Sequence, residues 1–150
     1  MPRPVRTSPP GSMTHSDETP KLGPASLGLL WPRVLLAGFF TFAGVMHFVK
    51  PEMYAAIVPP WLPYAPLLVI LSGAFEILGG LGVLHPVTRR LAGWGLIALL
   101  IAVFPANVQM LRMAYVYNAS ALWKAALWFR LPLQLPMLWW VWQVAARRAR

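Results

Sequence analysis

Cysteine does not occur in this chain, and its absence removes thiol redox chemistry, disulfides and thiolate–metal sites together. A quinone reductase working through a Cys-x-x-Cys pair is excluded with them. Acidic residues are nearly as scarce: Asp17, Glu18, Glu52 and Glu76 are the only four among 150 residues. A ferritin-like di-iron site draws on about four carboxylates and two histidines within one bundle, and two of these carboxylates lie in a proline-rich N-terminal tail. Histidine is no better supplied. His15 falls in the tail, and His47 and His85 fall at opposite faces of the expected membrane domain, so a bis-histidine haem has no pair at one depth. Nor is there an H-E-x-x-H, a G-x-S-x-G or a phosphate loop. The chain is expected to hold no metal through its own side chains.

What remains is apolar. Hydrophobic residues make up 58% of the chain and charged residues 11%, against about 25% charged in soluble domains. Together with long apolar runs, this predicts a polytopic membrane protein. The net charge of +9 comes from basic residues gathered at the ends of those runs, a distribution that membrane topology explains and nucleic-acid binding does not require.

Residues 1–26 are rich in proline, serine and threonine and cannot bury a core, which predicts a disordered cytoplasmic tail. They lack the short apolar core and cleavage site of a signal peptide; either Met1 or Met13 could be the true start. A membrane domain is expected over 27–146, with spans at about 31–49, 67–84, 91–111 and 131–146, and a basic cytoplasmic tail over 147–150. Pro51 should stop the first span. Pro59, Pro60, Pro63 and Pro66 then prevent a continuous helix before Leu67, and Tyr54, Trp61 and Tyr64 suit a segment in the headgroup region. The third span must run through Pro105, which leaves the Ile101 carbonyl without its helical donor. Residues 112–130 read as a second connection, and Pro132 and Pro136 as early breaks in the fourth span.

Basic residues set the orientation. Arg3, Arg6, Lys21, Arg33, Arg89, Arg90, Arg147, Arg148 and Arg150 fall on one side of a four-span arrangement, and Lys50, Arg112, Lys124 and Arg130 on the other. The positive-inside rule then places both termini in the cytoplasm. Short turns make neighbouring spans antiparallel, so the expected fold is an all-α, antiparallel four-helix transmembrane bundle.

Glu76 is the only charged residue between Leu67 and Leu84, a run of about 27 Å as a helix. An ionised carboxylate at that depth costs about 2.5–3.5 kcal/mol on insertion scales. Glu76 is therefore expected to be protonated or to face a partner within the protein. Ser72, Glu76 and Gly80 share a helical face with little bulk, which lets another helix approach closely. His47, Asn107, Gln109, Arg130 and Gln134 all fall toward the outer end of their spans. Each has a plainer role open to it: His47 as an interfacial residue, Asn107 as a partner for backbone freed by Pro105, Arg130 as an anchor, Glu76 as a tie between helices. Their convergence points instead to an outward-opening polar pocket with Glu76 as its floor and Arg130 as counter-charge. A buried carboxyl near a histidine is able to move protons.

These residues also carry a resemblance. His47-Phe48 with Pro51 and Tyr54, Val58-Pro59-Pro60-Trp61-Leu62-Pro63, Ser72-Gly73 with Glu76-Ile77 and Gly79-Gly80, Pro86 with Arg89-Arg90 and Ala92, Phe104-Pro105-Ala106-Asn107 and Arg130-Leu131-Pro132-Leu133-Gln134 together resemble the DoxX-like family of small membrane proteins, over roughly residues 33–145. The resemblance implies a four-helix membrane bundle. Relatives of this kind have been linked to quinone-coupled thiosulfate oxidation, to membrane complexes handling oxidative stress and to assembly. The expectation is a non-metal accessory subunit that binds a lipophilic small molecule, a quinone being one candidate, at His47, Glu76, Asn107, Gln109, Arg130 and Gln134. Its expected partners are the bilayer, membrane or periplasmic redox proteins and a second copy of itself, with no nucleic acid. An acid–base enzyme acting on a lipid-soluble substrate through Glu76 and His47 stays open beside it, and a transporter would need an oligomer.

Overall fold

The computed structural model describes residues 24–147, with side chains from Leu30 onward. The expected disordered tail up to residue 23, the choice between Met1 and Met13, and residues 148–150 lie outside the described residues. Within them the chain is helical and contains no strand. Five α-helices follow one another: α1 Pro24–Val49, α2 Pro51–Ala55, α3 Ala65–Leu84, α4 Arg89–Val116 and α5 Ala121–Val141, the last continuing into a π-helical segment, Trp142–Ala146.

Three of these helices, over Leu30–Val49, Ala65–Leu84 and Arg89–Val116, are long and apolar enough to cross a membrane. Much of their apolar surface faces outward. Phe42, Leu78 and Leu91 are all more than 60% exposed, an outer face suited to lipid. α5 is not among the three, because Lys124, Arg130, Gln134 and two prolines dilute its apolar run.

Several boundaries depart from the sequence expectation. α1 opens at Pro24, inside the expected tail, since a proline at the first helical position gives up only an amide that would have had no partner. It stops at Val49, ahead of Pro51, as expected. The larger difference lies at 112–130, which is almost wholly helical. The break is confined to residues 117–120, and local chemistry closes it. Asn118 adopts a left-handed conformation (φ 49°), with its amide bonded to the Tyr115 carbonyl and that of Ala119 to the Ala114 carbonyl at 2.8 Å. This is a Schellman closure with asparagine in the place more often held by glycine. Ser120 then caps α5, its Oγ accepting from the Trp123 amide. Ser120→Ala should cost about 1 kcal/mol of stability, read as a lowered midpoint in denaturant unfolding of the detergent-solubilised protein. Pro132 and Pro136 lie within α5, and Pro105 within α4, without ending either helix.

α1 packs most extensively on α3, α3 on α4, and α4 on α5 and the π segment, which also returns to α1. The main core gathers Leu36, Phe40, Val83, Leu96, Val141 and Ala145, at the end where α1 enters and α3 leaves. A smaller core of Leu111, Ala114 and Leu127 joins α4 to α5 at the other end.

Candidate functional site

The α1–α3 seam positions the site. A β-carbon placed on Gly44 would lie 2.6 Å from the Gly73 carbonyl oxygen, and one on Gly73 would lie 2.7 Å from His47 Cβ. The two backbones can meet this closely because neither residue has a side chain. The face of α3 turned to α1 carries Gly73, Glu76 and Gly80; its first small residue is Gly73 rather than the expected Ser72.

This close approach sets His47 beside Glu76. α1 ends opposite the second turn of α3, and α2 packs along α3 beyond it. The side chains of His47 and Glu76 therefore meet, although His47 lies one turn from its own helix end. It is 8% exposed. Its Nδ1 is 3.1 Å from the Val69 carbonyl oxygen. A carbonyl only accepts, so Nδ1 carries the proton, and Nε2 is the atom turned toward Glu76. Nε2 and Glu76 Oε2 are 3.8 Å apart, too far for a hydrogen bond. That carboxylate oxygen is buried and has no hydrogen-bond partner among the described residues. The Tyr54 ring, from α2, stacks on His47 at 3.9 Å between centroids and 28° between planes. Burial holds the Tyr54 phenol above its ordinary pKa; Glu76 adds in the same sense, and the Arg130 charge works against both.

Asn107, Arg130 and Gln134 form a second group. Arg130 Nε donates to Asn107 Oδ1 at 3.2 Å, Asn107 Nδ2 donates to Gln134 Oε1 at 3.2 Å, and Gln134 Nε2 donates to the Leu100 carbonyl at 2.6 Å. A polar side chain does serve backbone near Pro105, but it takes the carbonyl one residue before the one the proline frees. Arg130, expected as the counter-charge of Glu76, gives its Nε to Asn107, and the charge partner within 4 Å of Glu76 is His47. Gln109 is half-buried on α4, about 200° around the helix from Asn107, and joins neither group. The six expected residues thus resolve into a His47–Glu76 pair, an Asn107–Arg130–Gln134 chain and Gln109 apart. The two groups remain electrostatic neighbours, since Glu76 and Arg130 both act on Tyr54.

A groove of about 460 Å³ between α4 and α5 is lined by Ile101, Phe104, Leu131, Leu138 and Gln134. It joins an apolar wall to one end of the hydrogen-bonded chain, at a volume common for small-molecule sites. Sequence reasoning gave Tyr54 only a headgroup role. Its contact with His47 depends on the reversal at Lys50-Pro51, whose direction no residue pattern specifies. The Val69 and Leu100 carbonyls had no signal at all, being backbone.

The profile of one protein family matches residues 36–145, its description being Domain of unknown function (DUF8561). The chain belongs to this family. No curated protein and no solved structure matches it. The DUF8561 match spans the whole α1–α3 seam and both polar groups, Tyr54 included, while Arg33 and Arg147 fall outside it.

Proposed function

We propose that this chain is a DoxX-like inner-membrane protein that binds a lipophilic small molecule with a hydrogen-bonding head, of the quinone class, beside His47 and Glu76. It serves there as a non-metal accessory subunit to membrane or periplasmic redox proteins. The unpartnered Oε2 of Glu76, 3.8 Å from His47 Nε2, carries this reading. Two groups able to hold or release a proton face each other across a gap that neither closes. A protonated Glu76 can donate to a guest carbonyl, and a neutral His47 can accept from a guest hydroxyl through Nε2. The pair therefore suits both the oxidised and the reduced form of such a head. Tyr54 closes one face of the imidazole.

In this proposal α5 and the π segment supply the fourth span of an antiparallel bundle. Their packing along α4 and back onto α1 supports it. The excess of basic residues on the side of Arg33, Arg89 and Arg147 supports cytoplasmic termini.

Thermal unfolding in detergent tests the site. A quinone at a hundredfold excess over its dissociation constant should stabilise the wild type by about 2.7 kcal/mol and leave Glu76→Gln nearly unmoved. A wild type indifferent to quinones and bacterial lipids, with Glu76→Gln less stable on its own, would make Glu76 a tie between α1 and α3 and the chain an assembly protein. One observation favours the enzyme reading. The Val69 carbonyl fixes the imidazole with Nε2 toward the carboxyl, the orientation an acid–base pair needs. Under that reading Glu76→Gln abolishes turnover of a lipid-soluble substrate and leaves its binding intact; loss of both together sinks it.

A further inference from the structure

A second cluster of charge lies at the opposite end of the helices and plays no part in the site above. Arg33 sits near the start of the Leu30–Val49 span, beside Trp31, which is 70% exposed. An exposed tryptophan and an arginine at a span entry mark the headgroup level. The Nε of Arg33 is buried and has no hydrogen-bond partner among the described residues. Arg89 opens α4. Leu36 and Ala92, each three residues beyond one of these arginines, pack in the same core, which brings the two guanidinium groups to one end of the helices, where their like charges act on each other. Arg147 follows the π segment, whose Ala145 and Ala146 pack on Gly93, one turn along α4 from Arg89. It is steadied there over the Trp142 ring and by a hydrogen bond to Gln143. The acidic side chains among the described residues, Glu52 and Glu76, are both elsewhere. Convergent like charges with a desolvated, unmet N–H have no counter-anion among the described residues.

We propose that Arg33 and Arg89 bind a phosphate oxyanion, the headgroup phosphodiester of an anionic phospholipid, at the end of the molecule where α1 enters and α4 begins. The chemistry fits in three respects. A phosphodiester has two free oxygens for two guanidinium forks. Arg33 reaches headgroup depth while Arg89 stands at a helix start, where the dipole favours an anion. Basic pockets between helices at this level are a recurrent way of holding anionic headgroups. Arg147 adds long-range attraction.

The test uses the full chain in detergent micelles, titrated with phosphatidylglycerol, phosphatidylcholine or inorganic phosphate. Melting temperature and native mass spectrometry are read together. Phosphatidylglycerol should stay bound through the spectrometer and raise the melting temperature of the wild type, and phosphatidylcholine should do neither. Arg33→Gln and Arg89→Gln should each weaken the lipid about tenfold or more, the loss of a hydrogen bond to a charged group. Arg112→Gln, at the far end, should change nothing. If Arg33→Gln does not fold, Arg89→Gln decides alone, since Arg89 stands at the start of its helix and is only half-buried. Protection by inorganic phosphate as strong as by the lipid would assign the site to a free phosphate. Equal response to both lipids, or retention of phosphatidylglycerol undiminished by Arg89→Gln, would overturn the proposal.

Discussion

Gly73→Ala should destabilise the protein by about 1–3 kcal/mol, the usual cost of one added carbon in a closed contact. Alanine ordinarily gains up to about 1 kcal/mol over glycine within a helix, so the sign has to be argued. At Gly73 the new carbon meets His47 Cβ at 2.7 Å and the Gly44 carbonyl oxygen at 2.8 Å. Neither is the end of a flexible side chain that could swing away, so the helices must separate. At Gly95 nothing lies within 4 Å of the same carbon, and Gly95→Ala should be neutral or stabilising. Reversible unfolding in mixed micelles would measure the pair. The same shift at both positions, or none at Gly73, would mean that the α1–α3 approach is looser than described. Gly73→Leu should prevent the seam from forming and carry His47 away from Glu76, so a quinone response should disappear with it.

Gln134→Leu is the second large effect. Gln134 makes two interhelical bonds, accepting from Asn107 and donating to the Leu100 carbonyl. Interhelical hydrogen bonds in membranes average only about 0.6 kcal/mol and reach about 1.7, because the separated helices find other partners. Losing two therefore predicts about 1–3 kcal/mol. Leucine is apolar and enters a groove already lined by Ile101, Leu131 and Leu138, so hydrophobic gain offsets part of that. The double change Asn107→Leu with Gln134→Leu should cost less than the sum of the single changes, since each residue is the other's partner. Strict additivity would show that the contact contributes nothing. Arg130→Lys probes the exposed end of the same chain. Lysine has no Nε to reach Asn107, and only a small loss is expected there.

Composition and the apolar runs were sufficient for the class of fold, because in a bilayer only a helix meets its own backbone needs over such a length. The end of α1 was legible for a local reason: Pro51 forbids continuation. The turn at 117–120 was equally local, yet it was obscured. Lys124 and Arg130 resembled a surface connection and Pro132 a break, while Asn118 and Ser120 held the closing and capping chemistry. For the site, the depth of Glu76 in an apolar run already required a partner. That His47 would be the partner depended on where α1 ends relative to α3. This in turn follows from Gly44 meeting Gly73, a tertiary register that neither glycine announces alone.

The four-residue turn between α4 and α5 has a consequence for how the chain is made. Its closing amides, its serine cap and the small core of Leu111, Ala114 and Leu127 all lie within a few turns of one another along the sequence. Contacts this local form quickly and need no distant partner. The α4–α5 hairpin can take shape as soon as Leu131 has left the ribosome. The basic, proline-bearing α5 would then be paired with the apolar α4 independently of the α1–α3 seam.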